Sequence, residues 1–354
     1  MKYFKYILLS AMLIIVSCDL PNESVIYHWA EHWIAIMDAN GQNIQYVHRS
    51  VNIRYWNDRL IAFEKDNTLN ILDADINRIL IVNSDGSQAM SLLENYNASL
   101  NRCSVSADGQ FVVYSQKGNL YKKATDGSIL IPLVVDSNYY DADPQFSPQN
   151  QEIVFVRDWN NSKNDAVMLL NENGDQLIRL TDNFNDPSKK KQISYPTFSY
   201  DGKRIYYYYY NSQEASGIYV IDRHSGIKRQ IYSSTSISNT IEVSSKGDVA
   251  FSFGKYLFVA DSSGNQILNL GEQFARNSAW NQFKFSPDGN SIIVSDGDYS
   301  NAQIKIIDLQ TQTSRIICSG WSPSFLPDGR ILFITKRFFE SKNKNDVPYD
   351  RIYF

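Results

Sequence analysis

A seven-bladed β-propeller of four-stranded blades is the fold the sequence predicts, and three observations predict it. A four-residue corner recurs along the chain, at Ser106-Ala107-Asp108-Gly109, Ser147-Pro148-Gln149-Asn150, Ser199-Tyr200-Asp201-Gly202, Ser244-Ser245-Lys246-Gly247, Ser286-Pro287-Asp288-Gly289 and Leu326-Pro327-Asp328-Gly329. A weaker copy stands at Tyr55-Trp56-Asn57-Asp58, and the spacing of about 40 to 52 residues is that of a four-stranded blade. Short apolar runs follow each corner in a fixed order, and no helical periodicity separates them. A six-bladed ring is the alternative count.

Each element has a local cause. In Ser286-Pro287-Asp288-Gly289 the proline presets the second turn position, the Asp side chain bonds nearby amides, and Gly takes the left-handed conformation, so the corner joins two antiparallel strands. The runs after the corners ("LIAFE", "FVVYS", "EIVFV", "RIYYYYY", "DVAFSF", "SIIVS", "RILFIT") are β-branched or aromatic and too short for helices. They suit a strand buried on both faces. A further strand ends in an Asp or Asn turn, as in "GIYVIDRHSG" and "YLFVADSSG", and a short strand such as "SRIICSG" closes the unit. The tyrosines 206 to 210 fit such a doubly buried strand, with rings packed against neighbouring blades. The last blade is short of strands at the C-terminus, whereas residues 33 to 47, "WIAIMDANGQNIQYV", read as the last two strands of a blade. The N-terminal segment is therefore expected to complete the C-terminal blade and close the ring, hiding the sheet edges.

Ahead of the blades lies a sorting signal. Lys2 and Lys5 precede an apolar run over residues 7 to 16 that is shorter than the roughly 20 residues a spanning helix needs. The run ends in Ile15-Val16-Ser17-Cys18, which resembles the lipobox of bacterial lipoproteins. That resemblance implies cleavage before Cys18, lipidation of Cys18, a short tether over residues 18 to 24 and a single propeller domain over residues 25 to 354. It places the mature protein at a bacterial cell envelope, held to a membrane by its lipid and facing the periplasm or the cell surface.

The blade grammar, FSPDG followed by a buried run, an "IYVID" strand and "RLT", is similar to the TolB-type repeat, a relative of the WD repeat, over nearly all of residues 50 to 354. The resemblance implies a propeller and, for function, the binding of partner peptides in envelope assembly. Blades begin almost at once after the lipobox, which leaves no room for the additional N-terminal domain of TolB proteins.

Composition and motifs narrow the function. The formal charge is −4 over 354 residues, and −6 without Lys2 and Lys5, which argues against a nucleic-acid partner. The one basic run, Lys189-Lys190-Lys191, adjoins loop residues. Cys103 and Cys318 fall at different repeat positions and are expected as unpaired, buried thiols. His28, His32, His48 and His224 make no metal set, and the HExxH glutamate is absent. Asp141-Ala142-Asp143 and Asp296-Gly297-Asp298 lack the full pattern of a calcium loop. No GxSxG elbow, phosphate loop or dinucleotide fingerprint occurs.

These readings give a non-catalytic protein without cofactor, monomeric by itself. Its binding surface is expected where connections enter the innermost strand of each blade and line one rim of the channel. Counting back four to six residues from each corner finds Asn101, Arg102, Asp141, Asp143, Tyr195, Trp280, Asn281 and Trp321, with Tyr139 and Tyr140 just upstream. Of these Arg102, Asp141, Asp143, Tyr195, Trp280 and Trp321 are the candidate binding residues, an aromatic and polar rim suited to a protein or peptide segment. A glycan-binding or glycan-degrading propeller and a structural subunit of a membrane complex are the alternatives.

Overall fold

Seven four-stranded antiparallel sheets follow one another around a ring in the computed structural model of the chain. The structure describes residues 27–50, 59–74, 78–94, 100–148, 152–158, 165–181, 191–211, 216–234, 240–274, 282–296 and 302–341, together with two-residue strands at Leu8–Leu9 and Met12–Leu13. Cys18, residues 19 to 24, the segment 55 to 58, Trp280 and Asn281 lie outside the described residues.

Blades 1 to 6 occupy residues 59–94, 100–134, 140–179, 191–233, 241–272 and 282–319. Blade 7 is built from both ends of the chain: Trp321–Phe325 and Ile331–Ser341 supply its inner strands, and Tyr27–Met37 and Gln45–Arg49 its outer ones. The expected closure by the N-terminal segment is thus the observed one. The innermost strands, beginning at Arg59, Leu100, Tyr140, Lys191, Ile241, Gln282 and Trp321, touch in sequence around the axis, and the last touches the first.

The corner works as its residues dictate. Ser286 Oγ donates to Asp288 Oδ1 at 2.6 Å, that oxygen accepts from the Asn290 amide at 3.0 Å, and the Ser291 amide donates back to Ser286 Oγ at 2.9 Å. The same three bonds recur around Ser106 and Ser199. In blades 2 to 7 this connection is five residues long every time.

Blade 1 departs from the expected repeat. "LIAFE" belongs to its innermost strand, Arg59–Lys65, and not to the strand after a corner at Tyr55-Trp56-Asn57-Asp58. The corner is instead the two-residue turn Asp66-Asn67, both residues left-handed at φ 52° and 60°. That primed geometry matches the twist of a hairpin and needs neither Ser nor Pro.

Burial explains why the middle strands read as continuous apolar runs. Seven hydrophobic clusters are found among the described residues, each shared by two adjacent blades. Alternate residues of one strand feed opposite clusters: Tyr206 and Tyr208 pack toward blade 5, Tyr207 and Tyr209 toward blade 3. All four are buried, as expected, and burial pushes the Tyr208 phenol up to about 12. Asn211 donates to the Tyr209 hydroxyl at 2.9 Å. Each large apolar side chain so buried contributes about 1.5–3 kcal/mol, which makes the ring of interfaces the core. Cys103 and Cys318, in blades 2 and 6, form no disulfide with each other; Cys103 is buried as expected, whereas Cys318 is half-buried, approaches Met37 Sδ at 3.8 Å and has its thiol raised by burial to about 11.

Candidate binding site at the channel mouth

The two faces of the ring differ. One carries the corners, five residues long in blades 2 to 7 and two in blade 1. On the other, connections into the innermost strands range from the single residue Gly320 to the eleven residues 180–190. Variable loops on a rigid scaffold are where binding groups are placed.

On this loop-bearing face the innermost strands of blades 3, 4 and 7 share a device. Asp143, Tyr195 and Ser322 are left-handed at φ 52°, 59° and 52°, each stands before a proline (Pro144, Pro196, Pro323), and each falls where the pairing register shifts. A non-glycine residue held there costs on the order of 1–3 kcal/mol, and before proline extended backbone is the usual preference. Such bulges re-aim side chains. Two of them are fastened by the preceding blade: the Tyr195 amide donates to Asp143 Oδ2 at 3.4 Å, and the Ser322 amide to Gln282 Oε1 at 2.8 Å.

Arg102 ties the mouth together. From the start of blade 2 its guanidinium lies over the Tyr195 ring at 3.9 Å, its Nε stands 3.8 Å from Asp143 Oδ1, and its Nη2 donates to Thr240 Oγ1 at 3.4 Å. Asp143 and Tyr195 lie within the innermost strands of blades 3 and 4 and Thr240 just ahead of that of blade 5, so one side chain from blade 2 links three further blades. The Arg102 and Asp143 side chains remain 17% and 19% exposed, enough to meet a ligand. A cation on an aromatic face, a carboxylate and a hydroxyl converge here, a set that can grip backbone amides and polar side chains of an inserted segment.

The candidate residues thus divide. Arg102, Asp143 and Tyr195 are brought together, and Thr240 joins them. Asp141 is not part of the open rim: it is 1% exposed and held by Arg157 Nε and Nη2, both at 2.7 Å, with Arg157 itself over the Tyr139 ring at 4.4 Å. Burial pushes the Asp141 carboxyl up against the pull of that arginine. Trp321 also stays apart, packed against the cluster shared by blades 7 and 1 and edge-on to His32 at 5.1 Å; it stands one residue before the left-handed Ser322, the position that Tyr195 fills in blade 4. Trp280 falls outside the described residues. Thr240, Ser322 and the left-handed backbone of Asp143 and Tyr195 are not among the sequence readings; the proline two residues before a phenylalanine in "DPQF", "YPTF" and "SPSF" was the available signal.

Among the described residues no group of three or more His, Cys, Asp or Glu could hold a metal ion. Asp296, one half of a considered calcium loop, pairs with Lys305. His48 Nδ1 lies 2.8 Å from the Arg49 carbonyl, and His224 sits in a turn.

No family model matches the sequence, and no curated protein does. Solved structures match in fold. A putative TolB from Agrobacterium tumefaciens is 14% identical, with a TM-score of 0.51 over 88% of this chain and 99% of that one. An oligogalacturonate lyase in complex with manganese is 10% identical, with a TM-score of 0.58 over 78% of this chain and 96% of that one. A puromycin-hydrolyzing peptidase from Mycobacterium tuberculosis is 14% identical with a TM-score of 0.58; the match covers 88% of this chain and 53% of the peptidase. The chain is therefore a propeller repeat protein with TolB-like neighbours, and the same fold carries a lyase and a peptidase.

Proposed function

We propose that this protein is a non-catalytic binding platform of the bacterial cell envelope, lipid-anchored through Cys18, whose channel mouth holds a segment of a partner protein. The observation that carries the reading is Arg102, stretched over Tyr195 and reaching Asp143 and Thr240 from three further blades. A strained, cross-braced constellation at the loop-bearing face is more than ring packing needs, and rigid anchors of this kind concentrate binding energy. The lipobox-like leader and the TolB-like neighbours support the envelope setting.

The test is a crosslinking pull-down from native membranes, comparing wild type with an Arg102→Ala, Tyr195→Ala double variant. A protein captured by wild type and lost from the variant is the expected result. Equal capture by both removes the mouth as the binding face; no captured protein moves the reading to a glycan, examined next on a glycan array. Separately, Cys18→Ala releases the protein from membranes if the anchor reading is right, and unchanged partitioning sinks it.

A further inference from the structure

Blade 7 does not end where the other blades do. Its third-strand partner Gln45–Arg49 stops at the Trp33↔Arg49 pair, and its inner strand begins at the Trp321↔Ile334 pair. Tyr27–Met37 and Ile331–Ser341 continue for six more pairs, from His32↔Lys336 to Tyr27↔Ser341, to which no third described strand is paired in the sheet, although Met12–Leu13 lies near Tyr27–Met37. Because Ile331–Ser341 leaves its corner on the turn face, this ribbon rises about 20 Å from the side of the channel mouth.

The ribbon is braced at its root. The Arg337 guanidinium lies 4.7 Å from the Trp33 ring, 4.9 Å from Tyr46 and 5.2 Å from Phe339. Trp33 Nε1 donates to Glu31 Oε2 at 3.1 Å, and Arg49 stands 3.9 Å from Glu31 Oε1. On the other side His32 meets Trp321. Beyond this rigid root Phe338 is 77% exposed, the largest exposure among the large apolar residues described. A single exposed apolar residue is ordinary on a protein surface. Its place is what matters: the ribbon begins at Tyr27, nine residues after Cys18, so an extended tether keeps it within about 30 Å of the lipid attachment point.

We propose that the ribbon is a membrane foot, with Phe338 entering the headgroup region of the bilayer that holds Cys18, so that the channel mouth faces the lipid and its partner segment is membrane-proximal. This rests on the anchor reading above. Aromatic rings beside Lys336 and Arg337 have the chemistry of a side chain set lodged at a lipid interface, apolar bodies inward and cations at the headgroups.

The full-length lipoprotein, carrying Phe338→Cys or Ala107→Cys labelled with an environment-sensitive fluorophore, is reconstituted in phosphatidylethanolamine and phosphatidylglycerol vesicles containing a doxyl-labelled lipid. Ala107 is exposed on the opposite, corner-bearing face, Cys103 is buried, and the half-buried Cys318 is replaced by serine in both variants. The label at 338, lodged about 5–10 Å into the headgroup boundary, is expected to lose emission to the lipid quencher and to be shielded from aqueous iodide, and the label at 107 to keep its emission and stay open to iodide. A protein that floats with the vesicles but shows both labels equally open to aqueous iodide overturns the membrane foot and leaves the anchor standing. Protection at 338 that appears only on adding solubilised envelope protein overturns it in favour of a protein contact. Failure to float at all refutes the anchor, and the orientation falls with it.

Discussion

Single side chains set the strength of the corners and of the mouth. Asp288, mostly exposed, is held at about 2, first by the Ser286 hydroxyl and then by the Asn290 amide and side chain. A carboxyl depressed on folding stabilises the protein above its ordinary value near 4 and loses that contribution as pH falls toward 2. Asp288→Ala is expected to cost about 1 kcal/mol at neutral pH, with the gap to wild type closing between pH 4 and pH 2 in urea unfolding. A gap independent of pH would show that the ionised carboxylate is not what the turn uses. The Asp141–Arg157 pair obeys a different rule, because both groups are buried. Arg157→Leu strands a buried carboxylate and is expected to cost about 3–5 kcal/mol, whereas an Asp141→Leu, Arg157→Met double variant recovers most of it. If the double variant is no more stable than the single, Arg157 matters through Tyr139 and Phe155 and not through its charge.

At the level of elements, the same corner meets different neighbours. Gly109 is left-handed at φ 69°, and a Cβ added there would lie 2.2 Å from the Glu64 carbonyl oxygen of blade 1. Gly329 is left-handed at φ 85° with nothing within 4 Å of that position. Gly329→Ala is expected to cost about 1 kcal/mol of left-handed strain, and Gly109→Ala roughly threefold more, since backbone must also move. Chemical denaturation of the two variants checks this; equal losses would mean the corners do not seat between blades. Six corners were legible in the sequence because Ser, Asp and Gly each perform a visible task at Ser106, Ser199 and Ser286, and the other three keep part of that set at the same spacing. The seventh was not, because Asp66-Asn67 makes its turn from two left-handed residues with no motif at all. The mouth was legible only in part. Counting back from the corners finds the right stretch of strand, yet a register shift of one residue turns a side chain to the other face. Tyr195, four residues before its corner, occupies the left-handed position and meets Arg102, whereas Trp321, five before its own, stands one residue short of the left-handed Ser322 and packs on its blade.

For the whole molecule, closure is the decisive contact, since blade 7 joins residues some 300 positions apart, as in the Ile34↔Ile334 pair. Ile34 is fully buried in the cluster between blades 7 and 1. Ile34→Ala is expected to lower stability by about 2–5 kcal/mol and to promote association, because a loosened Ile331–Ser341 strand offers an open edge. Light scattering at the unfolding midpoint checks it, and an unchanged midpoint without association would show that the N-terminal strands are dispensable. Closure was readable from unpaired strand signals at both chain ends; which face of the closed ring is used was not, since it depends on side chains that meet only once seven blades have turned through the circle. The most direct test of the channel-mouth site is site-specific photocrosslinking in native membranes with benzoylphenylalanine at Tyr195 and, on the opposite face, at Ala107. A discrete adduct at 195 that disappears with Arg102→Ala, and none at 107, is the predicted result; adducts at 107 alone, or an adduct at 195 indifferent to Arg102, would contradict a binding site at the channel mouth.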